Sequence, residues 1–160
     1  MRLLADEVPP TPWKNGGGQT RELLRWPALG DWRLRLSLAD ISADGPFSAF
    51  PGVTRWFVVL QGEGVALALP GGEHLQRLGD APLCFDGAAA PGCRLLGGPT
   101  RDLNLMLQGL AGELLAAQAG DPAPIRWPQR GFFEAGVHRL HWPCTATTAP
   151  ATGWWIGVEQ

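Results

Sequence analysis

The only lysine of this 160-residue chain stands immediately before three consecutive glycines, in the segment Lys14-Asn15-Gly16-Gly17-Gly18. Glycine accepts positive φ angles and lets other groups approach the backbone, so successive N–H groups of such a loop can converge on one anion. The lysine precedes the glycines, which reverses the order of phosphate-binding loops, and the G-x-G-x-x-G pattern of dinucleotide sites is missing. Two interpretations stay open: a loop that binds a small anion, or a flexible turn ahead of the first long strand.

Polar side chains recur at alternate positions in two segments that have the pattern of β-strands. Arg35 and Ser37 alternate with leucines in the first segment, and Asp102 and Asn104 do so in the second. Because alternate residues of a strand share one face, each segment presents a polar face opposite an apolar one. If both polar faces line one interior, with Arg55 from a third strand, they form a receptor for a small carboxylate or amide. The alternative is that both faces meet solvent.

Three carboxylates lie near turns or strand positions and are candidate general acids or bases: Glu22, Asp86 and Asp102. No local partner assigns a role to any of them, so the sequence leaves an enzyme open as an alternative to a binding protein.

The three histidines, His74, His138 and His141, do not supply the H-x-H spacing that places two metal ligands on one strand face. His138 and His141 are three residues apart and would lie on opposite faces of a strand, so each histidine is expected at the surface or against an aromatic ring. The sequence predicts neither a metal nor another cofactor.

The three cysteines, Cys84, Cys93 and Cys144, are odd in number and have no C-x-x-C spacing, which predicts reduced thiols. Cys84 stands in an apolar run and is expected in the core. Among the aromatic residues, Trp13 and Trp26 bracket the glycine segment and either form walls of a pocket or pack in the core, which is the more common role of tryptophan.

The elements that position these residues are predicted to be short β-strands joined by turns, because the chain contains 22 glycines and 15 prolines. Val65–Leu69 is expected to return as a hairpin from the strand at 55–60, after the turn at 61–64. The only predicted helix covers 112–119. Alternating or β-branched runs predict further strands at 32–39, 82–87 and 101–108, and tail strands around 132–133, 137–142 and 154–158.

The overall composition excludes two classes of partner. A net charge of −2 and a pI near 5.9 offer no basic field for nucleic acid, and no apolar run reaches the length of a membrane span. Residues 1–10 lack the apolar stretch of a signal peptide, so a cytoplasmic location is expected. A chain of this length can bury one core, which predicts a single domain over residues 1–160, and a homodimer is left open.

Several short motifs follow one another in order between residues 12 and 107. They are Pro12-Trp13-Lys14-Asn15-Gly16-Gly17-Gly18, Thr20-Arg21-Glu22, Arg35-Leu36-Ser37-Leu38-Ala39-Asp40, Asp44-Gly45-Pro46-Phe47-Ser48, Phe50-Pro51-Gly52, Leu60-Gln61-Gly62-Glu63-Gly64, Phe85-Asp86-Gly87 and Gly98-Pro99-Thr100-Arg101-Asp102-Leu103-Asn104-Leu105-Met106. In this order they resemble the HutD/Ves family.

The resemblance implies an all-β fold with little helix, a cupin-type antiparallel β-barrel or sandwich. It also implies a two-cupin (bicupin) arrangement in one compact chain, with residues 108–160 adding C-terminal strands. The family is linked to bacterial histidine utilisation, with a pathway intermediate such as urocanate or formylglutamate as ligand. The histidines that hold a metal in other cupins are absent upstream of the segment 57–64.

These observations together predict a metal-independent cupin that binds a small carboxylate metabolite as a sensor or regulator of histidine catabolism. Lys14 and Arg55 are expected to neutralise the carboxylate, and neighbouring polar groups to orient it. Arg35 is expected either in the pocket or supporting Asp102 from behind. The predicted ligand-binding residues are Lys14, Asn15, Thr20, Glu22, Arg35, Ser37, Arg55, Asp86, Asp102 and Asn104.

Two other functions stay open. The first is a metal-independent isomerase or hydrolase on a small anionic substrate, with one of the three carboxylates as acid or base. The second is a structural interaction protein whose barrel edge pairs with a copy of itself.

Overall fold

The structure is a computed structural model that describes residues 1–160. Apart from two 3₁₀ turns, Ala5–Glu7 and Gly87–Ala89, every regular element is a β-strand, and the strands form antiparallel sheets. The predicted all-β class is therefore confirmed. The strands are β1 (Arg2–Leu4), β2 (Thr11–Pro12), β3 (Gly18–Trp26), β4 (Leu34–Ile41), β5 (Gly45–Pro46), β6 (Val53–Gln61), β7 (Val65–Leu69), β8 (Gly72–Gln76), β9 (Leu83–Asp86), β10 (Gly92–Leu95), β11 (Thr100–Gln108), β12 (Gly112–Ala117), β13 (Gln129–Glu134), β14 (Arg139–His141) and β15 (Gly153–Val158).

The chain divides into two compact units. The first unit, Pro10–Gly109, contains β2 to β11, and the second joins Met1–Pro9 to Leu110–Gln160 and contains β1 and β12 to β15. That the whole chain acts as a single domain stays a prediction.

The first unit consists of a six-stranded sheet in the order β2-β3-β4-β11-β6-β9 and a four-stranded sheet in the order β5-β10-β7-β8. Apolar side chains from both sheets form one core cluster, which holds the sheets face to face because their burial removes apolar surface from water. The cluster consists of Ile41, Phe47, Phe57, Val59, Val65, Leu67, Phe85 and Cys93.

The alternation predicted for the two polar segments is present in β4 and β11. Leu103 and Leu105 are fully buried on one face of β11, while Asp102 and Asn104 lie on the other. The two strands pair so that Asn104 lies opposite Ser37. Strands β4 and β11 therefore each carry an apolar face and a polar face, and their polar residues lie side by side. On β6, the core residues Phe57 and Val59 lie on the same side as these polar residues.

The predicted hairpin between 55–60 and 65–69 is wrong, although both strands exist. β6 pairs with β9 and β11 in the six-stranded sheet, whereas β7 pairs with β8 and β10 in the four-stranded sheet. Gly62 and Gly64 have positive φ angles, and a Cβ on Gly64 would lie 2.3 Å from the Gln76 carbonyl oxygen. The turn between the strands thus carries the chain from one sheet to the other, and a local pattern of two strands around a turn does not distinguish this crossing from a hairpin.

The helix predicted over 112–119 is also wrong. Residues Gly112–Ala117 form β12, which pairs with β15 along its whole length. A helix of two turns is marginal by itself, so the pairing available on β15 outweighs the high helix propensity of the segment. No helix of the structure has the length and apolar character needed to cross a membrane.

The second unit is a single five-stranded sheet in the order β1-β14-β13-β15-β12. The three tail strands predicted near the end of the chain correspond to β13, β14 and β15. The rings of Phe132 and Trp155, both fully buried, meet edge to face with their centroids 5.0 Å apart. They form a core cluster with Ala117, Ala123 and Ala149.

Candidate functional site

A cavity of about 830 Å³ lies in the first unit, on the polar face of the six-stranded sheet. Its lining residues come from β2, β3, β4, β6 and β11, from the turn between β2 and β3, and from the segment that contains β5. They are Thr11, Pro12, Trp13, Lys14, Asn15, Thr20, Glu22, Arg35, Ser37, Ala39, Pro46, Phe47, Ser48, Phe50, Arg55, Asp102, Asn104 and Met106.

The structure brings together every predicted ligand-binding residue except Asp86 at this cavity. The Asp86 carboxylate instead accepts a hydrogen bond of 2.9 Å from the Ala88 backbone N–H and caps the 3₁₀ turn Gly87–Ala89. Asp86 is exposed, and its place among the ligand-binding candidates is not supported by its position. Whether the remaining residues bind a ligand stays a prediction.

The glycine segment forms a turn between β2 and β3. The Gly16 N–H donates to the Trp13 carbonyl oxygen over 3.1 Å, and the Gly17 N–H donates to Asn15 Oδ1 over 2.8 Å. These two N–H groups are therefore used within the turn and do not converge on an anion. Gly16 has a φ of 74°, and a Cβ on Gly18 would lie 2.5 Å from the Asp40 carbonyl oxygen, so the turn depends on glycine at both positions.

The turn nevertheless places the side chains of Lys14 and Asn15 at the cavity. Trp13 lies beside them, and its indole Nε1–H donates to Thr20 Oγ1 over 2.7 Å. This hydrogen bond fixes the indole as a wall of the cavity, and its ring also packs edge to face on Phe47 with centroids 6.3 Å apart. Trp26, the second predicted wall, does not line the cavity; the Arg33 guanidinium lies 5.9 Å from its ring centroid.

Arg55 is the buried cation of the site, with 4% of its surface exposed. Its guanidinium carbon lies 5.1 to 5.6 Å from the ring centroids of Phe47, Phe50 and Phe85, distances at which a cation is attracted to an aromatic face. Nη2 donates to Asn104 Oδ1 over 2.8 Å, while Nε and Nη1 have no hydrogen-bond partner. Burial lowers the pKa of Arg55 to about 10, an effect that nearby Asp102 opposes and the charge of Arg35 reinforces. Arg55 is therefore a cation at neutral pH.

Asp102 is completely buried beside this cation. Its Oδ1 accepts a hydrogen bond from the Asn104 amide, and its Oδ2 has no partner. Burial raises the pKa of the Asp102 carboxyl well above its usual value, although the charge of Arg55 acts in the opposite direction. Asn104 thus connects the two groups, since it accepts from Arg55 and donates to Asp102.

Arg35 is half-buried at the cavity and forms an ion pair with Glu22. Arg35 Nε lies 2.8 Å from Glu22 Oε2, and both residues line the cavity. Of the two predicted positions for Arg35, the structure supports the one in the pocket, because its partner is Glu22 on β3 and not Asp102.

Two register shifts occur next to the acidic residues of the cavity. The pairing of β3 with β4 shifts between Glu22 and Leu24, and the pairing of β11 with β6 shifts between Arg101 and Asp102. A β-bulge places an extra residue in one strand and changes the direction of the neighbouring side chains. The extra residues are Leu23 in β3 and Leu60 in β6, so the first bulge adjoins Glu22 in its own strand and the second lies in the strand that pairs with Asp102.

Comparison with known proteins agrees with this arrangement of strands and motifs. A family model described as HutD matches residues 5–117, which is more than half of the chain. The chain belongs to the HutD family. The resemblance predicted from the motifs between residues 12 and 107 is thereby confirmed.

Relatives of this HutD family member come from several bacteria. The chain is 42% identical over 106 residues to a Pseudomonas putida protein described as an uncharacterized 21.2 kDa protein in the hutC 3′ region, a match that covers 65% of the chain and 56% of that protein. It is 34% identical over 102 residues to protein Ves of Cronobacter sakazakii, covering 62% of the chain and 56% of that protein. The chain thus spans little more than half the length of these curated relatives.

Solved structures agree with the fold over the whole HutD chain. HutD from Pseudomonas fluorescens SBW25 superposes with a TM-score of 0.88 at 28% identity, covering 100% of this chain and 98% of that chain. The cupin domain of Schizosaccharomyces pombe Cnp3 superposes with a TM-score of 0.52 at 10% identity, covering 64% of this chain and 70% of that chain. The second likeness shows the fold alone, and it confirms the predicted cupin-type fold for the part of the chain that it covers.

Sequence reasoning missed several residues that line the cavity of this HutD protein. Phe47, Ser48 and Phe50 come from an irregular segment, and Met106 continues the polar face of β11. The sequence signal that could have indicated Phe47 and Phe50 is that two phenylalanines stand in a segment rich in glycine and proline. Large apolar residues are usually buried, so these two need a buried contact although they lie outside regular strands.

The histidines lie away from the cavity; His138 has the predicted aromatic contact, whereas His74 and His141 are partly buried beside polar side chains. His138 stacks on Phe133 with centroids 6.1 Å apart, and His141 pairs with Glu134. His74 lies 3.1 Å from Gln76 Oε1. No group of three or more His, Cys, Asp or Glu side chains is placed to hold a metal ion.

The cysteines are free thiols, as predicted. Cys84 is exposed on the edge strand β9, so its expected place in the core is wrong: a four-residue edge strand exposes one of its two faces. Cys93 is buried in the core of the first unit, and burial raises the pKa of its thiol to about 12.

Proposed function

We propose that this HutD protein binds a small carboxylate metabolite in the cavity of its first unit and thereby acts as a sensor or regulator of histidine catabolism. The observation that carries the proposal is Arg55, a buried cation at the cavity wall with two guanidinium nitrogens that have no partner. A buried polar group without a partner costs about 1–3 kcal/mol, and more when it is charged. A bound carboxylate would offset this cost because it brings both the opposite charge and two acceptor oxygens.

The link to histidine catabolism rests on relatives. The Pseudomonas putida relative is described by its place in the hutC 3′ region, and the Pseudomonas fluorescens relative carries the name HutD. These descriptions support histidine degradation as the pathway, and they make urocanate and N-formyl-L-glutamate the first ligands to test. The two-cupin arrangement implied by the resemblance also stays a proposal: the chain divides into two compact units, of which the first contains two sheets and the second a single five-stranded sheet.

The test is calorimetric titration and thermal unfolding of the protein with urocanate, N-formyl-L-glutamate, histidine and glutamate. A ligand present at one hundred times its Kd should raise the Tm by roughly 5–10 °C. If none of the four compounds raises the Tm at millimolar concentration, the assignment to histidine catabolites fails.

Arg55→Ala should weaken the binding of any such ligand by about 1.5–3 kcal/mol, the scale of a charged hydrogen bond. Arg94→Ala is the matched control, because Arg94 is an exposed arginine of the same unit that pairs with Glu73 outside the cavity. Since Arg55 is buried, far-UV circular dichroism must show that the variant folds. Unchanged affinity in a folded Arg55→Ala variant would show that Arg55 does not contribute to ligand binding.

Lys14→Ala tests the exposed side of the site without a change in the core. Lys14 is exposed on the turn between β2 and β3 and lines the cavity. A loss of affinity at the lower end of the same range, about 1.5 kcal/mol, is expected, because solvent screens an exposed charge. Equal affinities in calorimetric titrations of the variant and the parent protein would place Lys14 outside the site.

One observation favours a second candidate function, a metal-independent isomerase or hydrolase acting on a small anionic substrate. Asp102 lines the cavity, and burial raises the pKa of its carboxyl, as is common for general acids. Of the other two carboxylates considered, Glu22 is paired with Arg35, and Asp86 lies outside the cavity. Turnover of a bound compound that is lost in Asp102→Asn, while binding is retained, would favour this function over sensing.

A further inference from the structure

A buried basic residue and a buried acidic residue line the cavity and are joined through one amide side chain. Asn104 Oδ1 accepts a hydrogen bond of 2.8 Å from Arg55 Nη2, and the Asn104 amide nitrogen donates to Asp102 Oδ1. Asp102 is completely buried, and Arg55 nearly so. Burial lowers the pKa of Arg55, and the charge of Asp102 acts to raise it. Asp102 is therefore the counter-ion that the protein itself supplies to Arg55.

A carboxylate ligand on Arg55 would bring a second negative charge into this buried group. The ligand would bind at Nε and Nη1 of Arg55, the two nitrogens that have no hydrogen-bond partner. One buried cation cannot neutralise two carboxylates, and when two carboxylates share one site the pKa of one of them is strongly raised. The ligand and the Asp102 carboxylate therefore compete for the positive charge of Arg55.

The Asp102 carboxyl has an oxygen that can take up a proton. Its Oδ1 accepts from Asn104, whereas its Oδ2 is buried and has no hydrogen-bond partner. A buried charged oxygen without a donor is costly, and burial accordingly raises the pKa of this carboxyl. Protonation of Oδ2 would remove the negative charge and leave the hydrogen bond at Oδ1 in place.

Two titratable groups from other strands act on Asp102. Cys93 of β10 has a thiol pKa raised to about 12 by burial and by the charges of Asp102 and Asp44, so this thiol is neutral between pH 6 and 9. Asp40 of β4 raises the pKa of Asp102. Burial acts to raise the pKa of Asp40 itself, but its hydrogen bonds from Arg101 hold that pKa below its usual value, so Asp40 stays ionised in the same range.

The remaining charged residues of the cavity keep contact with solvent. Lys14 is exposed, and Arg35 and Glu22 form an ion pair in which both side chains are partly exposed. Solvent screens these charges and lowers the cost of their ionisation. Of the two acidic residues that line the cavity, Asp102 is therefore the one that a new buried negative charge affects most.

On the basis of the proposed function, we infer that binding of a carboxylate to Arg55 is coupled to the uptake of one proton, which comes from solvent and forms an O–H bond at Asp102 Oδ2. Arg55 then faces one anion in the complex, the ligand, as it faces one anion in the free protein when Asp102 is ionised. Because the complex holds more protons than the free protein, the ligand binds more tightly in mild acid and its Kd rises with pH. The protein thus responds to pH as well as to the concentration of its metabolite.

The experiment is calorimetric titration with N-formyl-L-glutamate at pH 6, 7, 8 and 9, at each pH in two buffers of different ionisation enthalpy. The difference between the two observed binding enthalpies gives the number of protons exchanged. The probe stays fully ionised, since carboxyl groups of its two kinds have pKa values of about 3.5 and 4.3. Urocanate is titrated in parallel at pH 8 and 9, where an imidazole is neutral.

We expect uptake of up to one proton per ligand bound and a Kd that rises by about tenfold or more across this range, because neighbouring carboxylates change one another's pKa strongly. Arg55, with a pKa of about 10, stays predominantly cationic throughout. Release of protons, or binding without proton exchange at all four pH values, would overturn the inference.

Three variants locate the proton. Asp102→Asn, which replaces the carboxyl by a neutral group of the same shape, should bind the probe without proton uptake and with a Kd that changes less than about threefold with pH. Glu22→Gln, at the other acidic residue of the cavity, should still take up the proton. Glu73→Gln, at an exposed residue outside the cavity, should behave as the parent protein. Proton uptake that persists in folded Asp102→Asn, or that is lost in Glu22→Gln, would overturn the assignment to Asp102.

Infrared difference spectroscopy tests the same assignment if Asp102→Asn does not fold. Addition of N-formyl-L-glutamate to the parent protein and to Glu22→Gln should produce the C=O stretching band of a protonated carboxyl group in both. Absence of this band from both proteins, or its absence from Glu22→Gln alone, would overturn the assignment.

Two outcomes distinguish failure of the proton coupling from failure of the proposed function. Binding of N-formyl-L-glutamate or urocanate without proton exchange leaves the carboxylate site in place and refutes the coupling. Absence of binding by every carboxylate tested refutes both.

Discussion

At the scale of single residues, Arg55 shows how an apolar environment can hold a cation without using all of its hydrogen-bond donors. The rings of Phe47, Phe50 and Phe85 attract the guanidinium through their π faces, and this attraction does not use its N–H groups. Nε and Nη1 stay without an acceptor, whereas water would satisfy them at an exposed position. A planar pair of acceptor oxygens fits such a group better than a single hydroxyl or amide does.

Asp102 provides a prediction for the pH dependence of stability. Its carboxyl titrates with a pKa of about 3.9 in the unfolded chain, and burial raises this pKa in the folded protein. Between the two pKa values the folded state binds more protons than the unfolded state, so the Asp102 contribution to the free energy of unfolding falls as pH rises. Asp102→Asn removes this contribution. The free energy of unfolding of the parent protein minus that of the variant should therefore decrease from pH 4 upwards.

Urea unfolding at several pH values between 4 and 8 measures this difference. Other titrating groups, such as Asp40, are present in both proteins, and their effects cancel to first order in the comparison. A difference that stays constant or increases with pH would contradict the assignment of a raised pKa to Asp102.

At the scale of elements, the sequence predicts which segments form strands better than it predicts which strands pair with one another. The alternation of leucines with Arg35 and Ser37 is a local property, and it defines a strand whatever lies beside it. The partner of Val65–Leu69 is not local, because the turn before it leads to a different sheet. The same limit explains Gly112–Ala117, whose strand conformation depends on pairing with a segment about 40 residues further along the chain.

The same distinction between local pattern and tertiary contact applies to the residues of the candidate site. Asp102 and Asn104 could be predicted to share a face with each other, and the pairing of β11 with β4 then brings them beside Ser37. Phe47 and Phe50 could not be placed, since they belong to an irregular segment whose path is determined by tertiary contacts. Asp86 was misplaced because a carboxylate next to a strand can equally cap the turn that follows it.

Gly64 offers a test of the turn that joins the two sheets. A Cβ at this position would lie 2.3 Å from the Gln76 carbonyl oxygen, and φ is 110°. Gly64→Ala should therefore lower the free energy of unfolding by roughly 2–4 kcal/mol, from backbone strain and displaced backbone together. Urea unfolding monitored by circular dichroism measures the change.

Gly71→Ala is the control for this effect, since Gly71 also has a positive φ, of 97°, but no atom lies within 4 Å of the added Cβ. It should cost only about 1–2 kcal/mol, the part due to the φ angle. Equal losses in the two variants would show that the close approach of Gly64 to Gln76 of the neighbouring strand β8 does not contribute to the free energy of unfolding.

At the scale of the whole molecule, the first residues of the chain belong to the same unit as the last third. β1 pairs with β14 through Arg2 with His141, Leu3 with Leu140 and Leu4 with Arg139. The Met1 amino group also donates to the Trp142 carbonyl oxygen over 2.7 Å. The second unit is thus built from two parts of the chain that are more than 100 residues apart.

Removal of residues 1–9 should therefore leave β14 as an unpaired edge of its sheet. Backbone N–H groups of Arg139–His141 that β1 protects should exchange with deuterium faster in the shortened protein, because they then face solvent. Hydrogen exchange followed by mass spectrometry measures this, with β11 in the first unit as the internal reference. Unchanged exchange in β14 would show that β1 does not contribute to its protection.

This discontinuity also has a consequence for the order in which the protein matures during synthesis. Residues 10–109 form an uninterrupted unit and can complete both of their sheets before the final third of the chain is translated. Residues 1–9 are translated before this unit, whereas their partner strand β14 is translated after it. The cavity of the first unit can therefore form while residues 1–9 still lack their partner strand, and the contact between these distant segments forms later.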